Sequence, residues 1–159
     1  MTSRTFAPWV EPIAAKLRES REQIARLAHA IPEEMWSRPS SGPGWSYKDQ
    51  LAHLAVGDWV CQTVLRAVVA NEPLDMALIA DIDGGNARLR DERAGRSIQQ
   101  LIEEAHAEGE ETQELLARLT DADEGRRQEG APMSLGEYLR MFPQHDEGHM
   151  QVLRTALKS

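Results

Sequence analysis

Three of the chain's five histidines, His53, His145 and His149, are spaced so that their imidazoles could share one cation. His145 and His149 are four residues apart, which at ~100° per residue places them ~40° from each other on a single helical face. That spacing lets two imidazole nitrogens approach one ion at ~2.0–2.1 Å. His53 lies in a segment whose apolar residues repeat at helical intervals, at the edge of the sector that holds Leu54 and Cys61, so a facing helix would bring the third imidazole. Three neutral imidazoles with coordination positions left for water or substrate describe a catalytic type of site; a structural zinc is closed by four protein ligands, usually with thiolate among them. Cys61 is the only cysteine and cannot close the site in that way. The competing reading is three hydrogen-bonded core histidines. Buried polar atoms left unsatisfied cost ~1–3 kcal/mol each, and a shared cation would offset that cost.

Other chemistry is excluded or weak. A zinc protease needs Glu directly after the first His, whereas the helix reads His145-Asp146-Glu147-Gly148-His149, so the general base is absent. Asp146 is then either a carboxylate supporting the site or a surface residue, and Asp49 either orients His53 or caps its helix. Cys61 reads as an inert buried thiol. Asn86, Arg88 and Arg90 form a polar patch that could hold an acidic thiol or a substrate carboxylate, with a solvated face as the plainer reading. His29 and His106 have no partners at ligand spacing, and Trp45 and Trp59 read as packing anchors.

The elements that must position these residues are all helical. Pro and Gly clusters at Ile31-Pro32, Pro39 to Gly44, Gly84-Gly85 and Gly130 to Pro132 divide the chain, and no run alternates as a strand does. Val10, Ile13, Leu17, Ile24, Leu27 and Ala28 form a stripe that predicts a helix from about 7 to 30. Ser46 with Asp49 marks the start of a second helix reaching about 70, with Leu51, Leu54, Cys61, Leu65 and Val68 inward. A connection broken at Gly84-Gly85 and a short helix to Arg93 follow. Ser97 with Gln100 opens a third long helix to about 119, and Ser134 with Glu137 opens a last one to about 157. In the last, His145 and His149 share a sector with Tyr138, Phe142, Val152 and Ala156 and are expected to point inward. Pro143 removes a hydrogen bond there and should kink or restart the helix. Four long helices predict an all-α four-helix bundle forming one domain over 1–159.

Composition fits that class. With 159 residues, 41% of them apolar and 28% charged, the chain is long enough for one core without disulfides. A net charge of −8 opposes binding to nucleic acid or to anionic membranes. The most apolar stretch, Leu51 to Ala70, is interrupted by His53, Asp58, Gln62 and Arg66, so no membrane span is expected. The lone cysteine and a polar N-terminus predict a cytoplasmic protein.

One segment adds a resemblance. Gly44-Trp45-Ser46-Tyr47-Lys48-Asp49-Gln50-Leu51-Ala52-His53-Leu54 resembles the W-S-x-x-D-x-L-x-H-L pattern of the DinB-like superfamily, and His145-x-x-x-His149 stands where that family's second and third ligands lie. The resemblance implies a four-helix bundle binding a divalent metal ion, nickel, zinc or iron, through His53, His145 and His149, commonly as a homodimer. It also implies a small-molecule substrate and, in some relatives, a low-molecular-weight thiol cosubstrate: bacillithiol S-transferases and mycothiol-dependent maleylpyruvate isomerases share the architecture. The isomerase-like branch carries Glu where this chain has His145. A metal-dependent thiol transferase or hydrolase is therefore the leading expectation, with a non-catalytic metal-binding or stress-associated dimer second and a metal-free bundle third.

Overall fold

The computed structural model describes residues 4–40, 44–56, 59–74, 77, 80–129 and 131–158, and the regular elements among them are all helices. They are α1 (Glu11–Ala30), α2 (Tyr47–Val56), α3 (Trp59–Ala70), α4 (Ile82–Arg93), α5 (Ile98–Leu116), α6 (Leu135–Leu139) and α7 (Phe142–Thr155), with short 3₁₀ turns at Glu33–Met35 and Asp121–Asp123. Among the described residues no helix is long and apolar enough to cross a membrane. The all-helical expectation holds.

Helix starts follow local chemistry. Before α2, the Asp49 carboxylate accepts from Ser46 N at 2.8 Å while Asp49 N donates back to Ser46 Oγ at 3.2 Å. Ser97 with Gln100 and Ser134 with Glu137 make the same reciprocal closure at α5 and α6. Asp49 is thus a capping residue, and orientation of His53 falls to other groups.

Pro143 divides the last predicted helix: α6 ends at Leu139 and α7 restarts at Phe142 with the proline in its first turn, where a missing N–H costs no helical hydrogen bond. The expected break at Gly84-Gly85 is overturned. Asp81 caps α4 by accepting from Gly84 N at 3.1 Å, and both glycines are helical. Gly85 is small because Trp59 lies against it: a Cβ there would stand 2.7 Å from Trp59 Cζ2. The third predicted helix also stops short, at Leu116 rather than 119. The second predicted helix appears as α2 and α3, and its residues Gly57 and Asp58 lie outside the described residues, as do Asp75, Met76, Leu78 and Ile79 of the connection.

α1 packs against α5 and α7, α2 against α4, α5 and α7, and α3 against α5. One apolar cluster centres on Ile24, Leu51, Leu54, Leu101, Met150 and Leu153, and a second on Val10, Leu17, Cys61, Leu65, Leu116 and Leu139. The first cluster lies between the helix that carries His53 and the helix that carries His145 and His149.

Candidate metal centre

The three histidines meet between α2 and α7. One ring nitrogen of each lies within 4.8 Å of those of the other two, and the ring centroids are 4.4 to 5.1 Å apart. His53 Nε2 and His145 Nε2 are 3.1 Å apart. Two nitrogens bound to one cation at ~2.0–2.1 Å, with an angle between ~90° and ~109°, would be separated by ~2.8–3.4 Å. The donor set and its spacing therefore fit a divalent cation, and the triad could bind one.

A directional hydrogen-bond chain fixes one of the three imidazoles. Ser40 Oγ donates to the Trp45 carbonyl oxygen at 2.9 Å, which can only accept. With its proton committed there, Ser40 Oγ accepts from Gln50 Nε2 at 3.1 Å, so Gln50 presents Oε1 to His149 Nδ1 at 2.7 Å. His149 must then carry its proton on Nδ1, which leaves the Nε2 lone pair for a ligand. The loop that begins this chain folds back through Gly44, whose φ of +79° suits glycine, and through an isolated bridge between Pro39 and Ser46.

Electrostatics favour neutral rings. His53 is 6% exposed, and burial, reinforced by repulsion from His149 and His145, lowers its pKa to about 3. Burial and the neighbouring His145 lower that of His149 to about 4. The Asp146 carboxylate opposes both shifts. Neutral imidazole is the form that coordinates metal.

The helical stripe predicts that His145 and His149 point into the bundle, and this is corrected: the His145 side chain is 40% exposed and His149 is half-buried. The buried face of α7 is Phe142, Asp146, Met150 and Leu153. Asp146 is fully buried, which removes its reading as a surface residue, and lies 3.8 Å from Arg21 Nη2 and 3.7 Å from His145 Nδ1. Arg21, itself buried, donates through Nη1 to the Leu54 carbonyl at 2.6 Å. Its stem crosses Gly109, where a Cβ would stand 2.9 Å from Arg21 Cγ. Gly109 makes room for the arginine.

Trp45 is more than a packing anchor, since its ring meets His53 edge-on at 5.2 Å and stacks over His149 at 6.3 Å. Arg90 lies over this indole with its guanidinium carbon 5.9 Å from the ring centroid, while Arg88 is exposed. Asn86 accepts from Trp59 Nε1 at 3.2 Å and, with Trp59, Val60, Tyr138, Met141 and Phe142, lines a cleft of about 260 Å³ that His53 and His145 border. Cys61 is fully buried in the second apolar cluster. His29 bonds the Ala25 carbonyl on α1, and His106 is exposed on α5. Gln50, Arg21 and the pairing of Asp146 were missed from sequence. The only signal for Gln50 was its position one turn before His53.

No curated protein and no solved structure matches the chain. The family model described as the DinB superfamily matches residues 16–153, a span that starts in α1, ends in α7 and takes in all three converging histidines. By that match the chain belongs to the DinB superfamily.

Proposed function

We propose that this protein is a metal-dependent enzyme in which His53, His145 and His149 bind one divalent cation, nickel, zinc or iron, at one end of a single-domain four-helix bundle. The observation that supports it best is the 3.1 Å approach of two imidazole nitrogens from different helices, with a third held beside them in the right tautomer by Gln50. A bound cation supplies Lewis acidity and lowers the pKa of a water or thiol at its open positions. The chain's own contribution is orientation and exclusion of water. Gln50 directs His149, Trp45 covers His53 and His149, and the cleft bordered by His53 and His145 admits a small molecule.

The reaction class we favour is thiol transfer to an electrophile, or hydrolysis. Arg90 over the Trp45 ring favours the thiol reading, because an acidic low-molecular-weight thiol needs a cation near the triad. The family resemblance adds a homodimer, and a single reduced cysteine is compatible with the cytoplasm. The second reading is a non-catalytic metal-binding dimer, in which the cation satisfies the three imidazoles and joins α2 to α7.

Elemental analysis of protein purified without a polyhistidine tag tests the site directly. About one equivalent of metal is expected in the parent and none in His53→Ala or His149→Ala; an empty parent that stays empty after incubation with nickel, zinc or iron would overturn the proposal. Gln50→Leu removes the acceptor for His149 Nδ1 and is expected to weaken metal affinity ~10–100-fold, as loss of outer hydrogen-bond partners does. Competition against a chelating dye reads this out, and an unchanged constant would mean that the Ser40–Gln50 chain has no part in orienting His149.

A further inference from the structure

His145 turns two different edges to its surroundings. Its Nε2 faces the triad, 3.1 Å from His53 Nε2, and its Nδ1 faces Asp146, 3.7 Å from Oδ1. The other oxygen of that carboxylate, Oδ2, lies 3.8 Å from Arg21 Nη2. Both separations exceed hydrogen-bond length, and neither Asp146 oxygen has a hydrogen-bond partner among the described residues, although both are buried. A buried acceptor in that state costs ~1–3 kcal/mol, and more where the group is charged.

The tautomer of His145 decides how far that cost is met. A neutral imidazole donates from one nitrogen and accepts at the other, so the contact between His53 and His145 has one donor and one acceptor. Were His145 the donor, its Nδ1 would turn a lone pair towards a carboxylate that can only accept, and the two would repel. With His53 as donor, His145 carries its proton on Nδ1, aimed at Asp146, and its Nε2 lone pair faces the triad. The carboxylate favours the second arrangement. Asp146 is fully buried, so water does not screen that preference.

We propose that Asp146 is a positioning residue of the triad: Oδ1 draws the His145 proton to Nδ1 and so holds that imidazole in the tautomer whose Nε2 lone pair is open to a cation, as Gln50 does for His149. The inference rests on the proposed function for the use made of that lone pair, whereas the tautomer itself is set with or without a cation.

Long-range proton–nitrogen correlation NMR of the imidazole side chains, with His145 assigned through the backbone, reads the tautomer in metal-free and zinc-loaded protein at neutral pH. The His145 proton is expected on Nδ1 in the metal-free parent, and should stay there in the zinc-loaded form while Nε2 takes the shift of a ligated nitrogen. Asp146→Asn replaces two acceptors by one acceptor and one donor. Arg21 can only donate and takes the amide oxygen, so the amide NH2 meets His145 Nδ1 and the proton should move to Nε2. Zinc affinity in that variant should fall ~10–100-fold, measured by competition with a chelating dye. A role confined to pairing with Arg21 would lower stability and leave the tautomer of His145 alone, so an unchanged tautomer in folded Asp146→Asn overturns the proposal. If the variant does not fold, the parent decides: a metal-free His145 protonated on Nε2, or zinc ligation through its Nδ1, overturns it equally. Zinc uptake with the wrong tautomer would leave the metal reading standing without this inference; the Nδ1–H tautomer in a parent that takes up no zinc would sustain the role of Asp146 and remove the metal reading.

Discussion

Asp146→Ala is expected to destabilise the protein by about 3–5 kcal/mol, the usual cost of removing one partner from a buried ion pair. Asp146 is fully buried and Arg21 is 5% exposed. The guanidinium has its Nη1 on the Leu54 carbonyl and its Nη2 towards the carboxylate, so the variant leaves a cation enclosed by α1, α5 and α7 without its counter-charge. Surface pairs such as Arg26 with Glu22 are worth far less, because water screens both groups. Asp146→Asn keeps the volume and removes only the charge, and should recover little of the loss if the counter-charge is what matters. Urea denaturation midpoints measure both variants. A change below about 1 kcal/mol in Asp146→Ala would mean that Arg21 finds water or another acceptor and that the pair does not hold the helices beside the triad together.

This pair also marks where sequence reasoning stopped. The helical stripes on α1, α2 and α5 were legible because burial of Leu17, Ile24, Leu51, Leu54, Leu101 and Leu116 follows helical period alone. The i,i+4 spacing of His145 and His149 was legible for the same reason, and the approach of His53 to them followed from its place on a facing helix. The inward face of α7 was not. Treating 134–157 as one helix put the histidines on its inward face, whereas Pro143 restarts the helix at Phe142 and Asp146 is buried beside Arg21. A carboxylate reads as solvent-facing until its partner is known, and that partner lies on another helix. Gln50 is the same case: its bond to His149 joins residues 99 positions apart, and no local pattern encodes it. Gly85 was misread for a related reason, since the Trp59 ring that requires a glycine there comes from α3.

The second large effect is a dependence on pH in the metal-free protein. In the unfolded chain a histidine titrates near pH 6.5; in the fold, burial and the neighbouring imidazoles lower His53 to about 3 and His149 to about 4. Between these values the unfolded state binds more protons than the folded one, so unfolding free energy rises with pH. The stabilisation is complete above about pH 6.5 and is lost progressively as pH falls towards 4, by up to ~1.4 kcal/mol per pH unit for each proton taken up. Glu147, held low by its bond to Arg154, and Glu137, held low by Ser134, contribute in the same direction, but only below the ordinary carboxylate range. The interval from pH 6.5 to 5 therefore isolates the histidines. Urea midpoints across that interval should fall steeply in the parent, and less steeply in His53→Ala and in His149→Ala, each of which removes one of the two protons. Bound zinc should hold the parent's midpoint flat until protons displace it, since the cation and the proton compete for the same lone pairs. A metal-free parent whose midpoint is constant from pH 7 to 5 would mean that His53 and His149 are hydrated well enough to titrate normally, and would remove the main reason for expecting both to be neutral before metal binds.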